Sequence, residues 1–167
     1  MGKKDTGKNF EAEIRRSLRS SKHIWWFRIQ DTNDINRFVK QAVAEKQPAD
    51  FFTVYRSRPI MIEAKTSRNL TSFPLYYGQS RSIAKHQIRE GQQLVRKGGI
   101  SLILIRREEF RNKKCYAITP SQASYLYSKK YDKKSVKWEW FEKNAKEVER
   151  LKAPLRWNLH KLYEQII

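Results

Sequence analysis

The chain is poor in cysteine. Its 167 residues include one, Cys115, so no disulfide framework can form within it, and a reducing compartment with a buried structural thiol is the expectation. Long apolar runs are missing as well. No stretch reaches the roughly 18 consecutive apolar residues of a membrane span. The basic start, Met1 to Lys8, leads into no continuous apolar segment and does not read as a secretory signal. Glycine is sparse, at 6 residues, and none forms a phosphate-cradling loop; Gly98-Gly99 is an isolated pair. Cysteine and histidine nowhere fall at zinc-ligand spacing. Acidic residues are the largest deficit: 17 Asp+Glu stand against 36 Lys+Arg, a formal net charge of +19.

What is present is a basic chain that can still build a core. Hydrophobic residues make up 39% and aromatics 13%, spread along the whole length, which argues for one folded domain over a disordered basic tail. The charge therefore lies on the surface of something compact. Such a surface attracts polyanions, with nucleic acid the leading partner, while a structural or ribosome-associated protein with a solvated basic exterior has the same composition.

The hydrophobic pattern gives the order of elements. Phe10, Ile14 and Leu18 recur every four residues and predict a helix over 8–20. Ile24 to Ile29 reads as a strand, and a short helix around Ile35 to Ala44 fits the polar stretch 30–48. Phe51 to Tyr55 and Ile60 to Lys65 read as the arms of a hairpin turning at Arg56-Ser57-Arg58-Pro59. A polar, aromatic loop over 66–80 follows. A helix then runs to Lys97, capped by Ser80 or Ser82 and ended by Gly98-Gly99. Ile100 to Ile105 is a buried strand with Lys114 to Ile118 as its neighbour. Thr119-Pro120 starts another helix, and the tail reads as helical, with Trp138, Phe141, Ala145 and Val148 on one face and Leu155, Leu159, Leu162, Tyr163 and Ile166 on another. Lys129 to Lys137 looks like an exposed connector. The fold class is thus α/β: a central mixed sheet of about five strands flanked by helices, with a core over 7–118 and a helical extension over 119–167 inside one domain.

The chemistry concentrates in Pro48-Ala49-Asp50 and Glu63-Ala64-Lys65. Side chains at i and i+2 of a strand share a face, so Glu63 and Lys65 are neighbours, and the hairpin brings Asp50 across from Glu63. Two carboxylates and an ammonium then meet. Carboxylate oxygens, with the Ala64 backbone carbonyl, suit a hard divalent ion that polarises a phosphoryl oxygen and activates water. Lysine suits the place where negative charge develops, and can orient the attacking water. In the first helix Glu11 falls near the Ile14/Leu18 stripe, with Glu13 pointing elsewhere. Ile83, Gln87, Gly91 and Leu94 line one face of the later helix, which makes Gln87 an inward amide and leaves His86 outside. Asp50 as a turn cap and Glu63–Lys65 as a surface pair is the plain structural alternative.

Asp50 followed thirteen residues later by Glu63-Ala64-Lys65 resembles the PD-(D/E)XK nuclease pattern. Within that superfamily, Glu63-Ala64-Lys65-Thr66, Asn69-Leu70-Thr71-Ser72-Phe73-Pro74-Leu75, His86-Gln87-Ile88 and Gly98-Gly99-Ile100, in that order, resemble the RecU-type Holliday junction resolvases, as does Gly7-Lys8-Asn9-Phe10-Glu11. The resemblance covers roughly 7–107. It implies a restriction-endonuclease-like core and a homodimeric, Mg²⁺-dependent endodeoxyribonuclease, with Mn²⁺ substituting. The substrate would be four-way branched DNA cut by paired symmetric nicks, with no membrane partner and no small-molecule substrate, in the cytoplasm, either nucleoid-associated or within a virus-infected cell. It implies Glu11, Asp50, Glu63 and Ala64 as metal-binding, Lys65 as catalytic and Gln87 as supporting. Lys8, Arg68, Phe73, Tyr76, Tyr77, Arg81 and His86 would contact DNA, with Phe73 or a tyrosine alternatively packing the loop down. The chain departs from the family in a short 30–48 stretch, where those proteins insert a stalk into the junction, and in Ala49 where a threonine is frequent. A nuclease for duplex or flap DNA, and a non-catalytic DNA-binding module, are the alternatives.

Overall fold

The computed structural model describes residues 6–29, 47–109, 112–154 and 156–167. The helix expected around Ile35 to Ala44, and with it nearly all of the stalk question over 30–48, lies outside the described residues. Chain order runs α1 (Thr6–Ser20), β1 (Trp25–Arg28), β2 (Phe51–Tyr55), β3 (Arg58–Ser67), β4 (Ser72–Pro74), β5 (Tyr76–Tyr77) and β6 (Ser80–Arg81). It continues with α2 (Lys85–Arg96), β7 (Ile100–Arg107), β8 (Lys114–Ile118), α3 (Pro120–Leu126), β9 (Ser135–Lys137) and α4 (Trp138–Asn144). The last elements are β10 (Lys146–Glu147), β11 (Arg150–Leu151), β12 (Arg156–Trp157) and α5 (Leu159–Ile166).

The central sheet is mixed and six-stranded, in the order β1-β2-β3-β7-β8-β10, where the sequence suggested about five. β3 and β7 pair in parallel through the α2 crossover; their neighbours are antiparallel. The sixth strand, β10, comes from the tail. Val148 follows it into the core and is buried. The helical reading of the extension holds at α3, α4 and α5 and is corrected between the last two, where β10, β11 and β12 lie. Helical spacing of apolar residues in short segments does not exclude extended backbone, and here 145–151 turns back to pair with β8 and β12.

Other local expectations shift for identifiable reasons. The hairpin turns on two residues, Arg56 and Ser57, at φ 47° and 60°, which fits the twist of the flanking strands and starts β3 at Arg58. The loop over 66–80 carries short strands, β4 pairing with β9 and β5 with β6. α2 begins after Ala84, not at Ser80 or Ser82. The Ser82 hydroxyl donates to the Pro74 carbonyl instead, and Gln87 caps the helix by accepting from Ala84 N–H at 2.9 Å. The Thr119-Pro120 start holds, with the Thr119 hydroxyl accepting from Gln122 N–H.

Strand alternation divides the core into two layers, one on each face of the sheet. Phe51, Tyr55, Ile60, Ile62, Leu102 and Leu104 pack under α1 and α5. Ile103, Ile105, Tyr116 and Ile118 pack with Ile83 and Ile88, α3 and α4 on the other face. Cys115 is fully buried in the first layer, as its default reading required. Among the described residues no helix is long and apolar enough to cross a membrane.

Candidate active site

The β2–β3 register pairs Phe51 with Ile62. Continued by one residue it brings Asp50 to Glu63, with a local irregularity where the ladder ends: Asp50 N–H donates to the Ile62 carbonyl at 3.0 Å, one residue off that register. Asp50 also accepts at its carbonyl from Ile29 N–H at 2.9 Å, which fixes it between β1 and β3. Alternation places Glu63 and Lys65 on the α2 face, next to Ile103 and Ile105 of β7, and Asp50 lies close enough to interact with both charges. Asp50 Oδ2 accepts from Ala64 N–H at 2.7 Å. Because the N–H and C=O of a strand residue leave along the same edge, the Ala64 carbonyl also faces the side where β2 has ended.

Glu63 is 5% exposed. Lys65 Nζ lies 2.7 Å from Glu63 Oε1, while buried Oε2 has no hydrogen-bond partner. Burial pushes the Glu63 carboxyl up to about 7; Lys65 and the nearby Gln87 amide favour its charged form, and the Asp50 charge opposes it. Burial raises Asp50 too, offset by the Ala64 N–H, with Glu11 adding to the rise and Lys65 and Arg28 counteracting it. Gln87 reaches this face from the first turn of α2, where its cap on Ala84 holds its position. Glu11 comes from α1, on the other side of the sheet, and pairs with Arg28 Nη2 of β1 at 2.7 Å. Asp50 thus senses both Glu11 and Glu63 around the sheet's end. Among the described residues, no group of three or more Asp, Glu, His or Cys side chains is gathered tightly enough to hold a metal ion as it stands.

The residues expected to touch DNA separate into two groups. Lys8, Arg68, Tyr76, Tyr77 and Arg81 are exposed. Phe73 is corrected: at 1% exposure it packs against Trp138 and Phe141, so it cannot stack on a base. His86 is half-buried, with Nε2 bonded to the Gln47 carbonyl at 3.1 Å.

Two features escaped sequence reasoning. Glu13, read as pointing away from the core, is 3% exposed and pairs with the fully buried Arg106 at 2.5 Å. Arg106 in turn meets Glu108 at 2.5 Å and lies over the Phe10 ring. A signal existed: Arg106 continues the Leu102/Leu104 face of β7, so it had to be buried with a counter-charge. The second feature is the extension, which braces both sides of the site. Trp157 donates to Glu13 and to the Ser17 hydroxyl on α1. Trp138 Nε1 donates to the Asn69 carbonyl, and the Tyr127 hydroxyl accepts from Ile83 N–H and donates to the Leu75 carbonyl, so the loop beside Lys65 is tied down.

A family model described as Recombination protein U matches residues 7–163. Among curated relatives, a protein named Holliday junction resolvase RecU from Geobacillus sp. (strain WCH70) is 42% identical over 69 residues, 41% of this chain and 30% of that protein. One of the same name from Shouchella clausii (strain KSM-K16) is 31% identical over 123 residues, 74% of this chain and 51% of that protein. The chain therefore spans about half, or less, of the length of these relatives. Among solved structures, Hjc of Archaeoglobus fulgidus, a Holliday junction resolvase, aligns with a TM-score of 0.44 at 8% identity, over 82% of this chain and 88% of that one.

Proposed function

The chain belongs to the Recombination protein U family, and on that premise we propose that it is a Holliday junction resolvase. In this reading it is a Mg²⁺-dependent endodeoxyribonuclease that acts as a homodimer and places paired symmetric nicks in four-way DNA. Glu63 carries the reading. A carboxylate with one oxygen on Lys65, the other buried without a partner, and a second carboxylate across the strand pair is costly in bare protein and well suited to a divalent cation. The donors are all hard oxygens: the carboxylates of Glu11, Asp50 and Glu63 and the carbonyl of Ala64 would hold Mg²⁺, or Mn²⁺ in its place. Bound there, the ion supplies Lewis-acid polarisation of a phosphoryl oxygen and a water of lowered pKa.

The chain's own residues do the positioning. Ala64 N–H orients the Asp50 carboxylate. Gln87 lies beside Glu63 and favours its ionised form. Lys65, 22% exposed at its side chain, reaches from Glu63 toward solvent, where its ammonium stabilises charge developing on the scissile phosphate and orients the attacking water. The exposed Lys8, Arg68, Tyr76, Tyr77 and Arg81 supply phosphate contacts and stacking surface. Two symmetric nicks need two active sites, and a two-fold dimer matches a two-fold junction. A nuclease of this kind works where DNA is, in the cytoplasm.

The test uses labelled immobile four-way junction, linear duplex and flap DNA, with and without Mg²⁺, with Glu63→Gln and Lys65→Ala alongside. Paired nicks confined to the junction and absent from both variants are the expected result. Equal cutting of duplex would remove junction selectivity. Tight junction binding without cutting in any divalent metal would leave a binding module.

A further inference from the structure

We infer that the groove between α2 and α3 is a track for the sugar–phosphate backbone of one DNA arm, leading to the active site. This inference rests on the reading above that branched DNA is the substrate, and it adds a surface that the active-site residues do not include. The groove has a volume of about 960 Å³ and is lined by Arg81, Lys85, Arg89, Gln92, Ser124 and Tyr127 among others. Its described lining holds three permanent cations and no carboxylate. The acid nearest in sequence, Glu90, pairs with Arg89 at 2.9 Å, an exposed contact between neighbouring residues that is worth little and is readily exchanged for a phosphate.

The lining is ordered by chemistry. Lys85 and Arg89 stand one helical turn apart on the same side of α2, and both are exposed. Arg81 lies with its guanidinium 4.6 Å over the Tyr127 ring, and Tyr76 meets that ring edge-on at 5.6 Å. Tyr127 itself is held by its two backbone hydrogen bonds, so the stack presents the Arg81 donors in a fixed plane. A guanidinium so stacked keeps its N–H edge for an anion. The opposite wall offers the Ser124 hydroxyl, a neutral donor suited to phosphate oxygens, while the Ser128 hydroxyl donates to the Tyr125 carbonyl. His86 lines the groove too, but its Nε2 is committed to the Gln47 carbonyl.

Position adds the last argument. Lys85 and Gln87 belong to the same first turn of α2, with Gln87 beside Glu63 on one side of the helix and Lys85 in the groove on the other. A strand seated in the groove therefore passes within a helix width of the scissile position. The groove exists only because the extension supplies α3, which gives residues 119–167 a part in substrate binding as well as in bracing the fold.

The experiment is a salt titration of binding to a labelled four-way junction in EDTA, read by fluorescence anisotropy, so that cleavage plays no part. It compares wild type with Lys85→Ala/Arg89→Ala and with Lys22→Ala/Lys97→Ala, an equal loss of charge elsewhere. Each phosphate contact contributes about 0.9 to the slope of log K against log salt. The groove double variant should lose about 1.8 of slope, which is roughly 30-fold in affinity near 0.15 M salt, closing to no difference near 1 M. Charge-preserving Lys85→Arg/Arg89→Lys should restore the slope, and thermal melts should report all variants folded. An unchanged slope in the groove variant, or an equal fall in the control pair, overturns the inference. Failure of the wild type to cut any junction in Mg²⁺ overturns the resolvase reading alone and leaves this measurement standing.

Discussion

Removing the charge of Glu63 should abolish activity and raise stability together. Burial lifts this carboxyl from an ordinary 4.5 to about 7 in the folded chain. The sign follows from linkage. Between those two values the native state binds more protons than the unfolded state, so the contribution of this group is fully present below about 4.5 and is lost as pH rises through about 7. A shift of that size corresponds to about 3 kcal/mol at pH 8.5. Glu63→Gln removes the burden, and Lys65, partly open to solvent, tolerates the loss of its partner. In metal-free protein at pH 8.5 the variant should therefore be more stable by up to about 3 kcal/mol, or about 6–12 °C in melting temperature for a domain of this size. The gap should shrink steadily down to pH 5. The assay is urea or thermal denaturation in EDTA across that range. A variant less stable than wild type at pH 8.5, or a gap that does not change with pH, would refute the claim that Glu63 is a desolvated carboxylate awaiting a cation. Added Mg²⁺ should stabilise wild type more than the variant, and more so at pH 8.5, because only the ionised carboxylate binds it.

Other outcomes follow from the same geometry. Lys65→Ala should lower the single-turnover cutting rate by about 10²–10³-fold while junction affinity in EDTA changes little, since the ammonium acts on charge that develops in the transition state. Glu13→Ala should cost about 3 kcal/mol in chemical denaturation by leaving the fully buried Arg106 with Glu108 alone and Trp157 Nε1 without its acceptor. Gly91→Ala should lower the melting temperature by a margin equivalent to about 1–3 kcal/mol, because its Cβ would stand 2.6 Å from Ser101 Oγ and 2.7 Å from Pro120 Cγ where α2 packs on β7 and α3.

The candidate site was legible where local rules suffice. Period-two alternation put Glu63 and Lys65 on one face, and a hairpin of known arm lengths put Asp50 opposite, so three site residues needed no tertiary information. Gln87 was legible as the polar member of an apolar helix face. The failures came where a residue's environment depends on elements distant in sequence. Glu13 and Glu11 are separated by less than one turn of α1, and helical phase set against Phe10, Ile14 and Leu18 favoured Glu11, yet Glu13 is the one that is buried. Arg106, 93 positions along the chain from Glu13, decides it. Phe73 sits in a polar loop and reads as a stacking residue until β9 and α4 close over it from the tail.

The sequence by itself determined the α/β class, the central hairpin, the strands around the crossover helix and the Asp50/Glu63/Lys65 cluster, because each follows from short-range periodicity and turn chemistry. The tertiary structure alone decided the sixth strand, the part played by residues 119–167, the buried Glu13–Arg106 pair and the basic groove between α2 and α3. Those depend on long-range packing: which charge finds its counter-charge, and which loop is covered, is settled only when segments far apart in the chain come to share one face of the sheet.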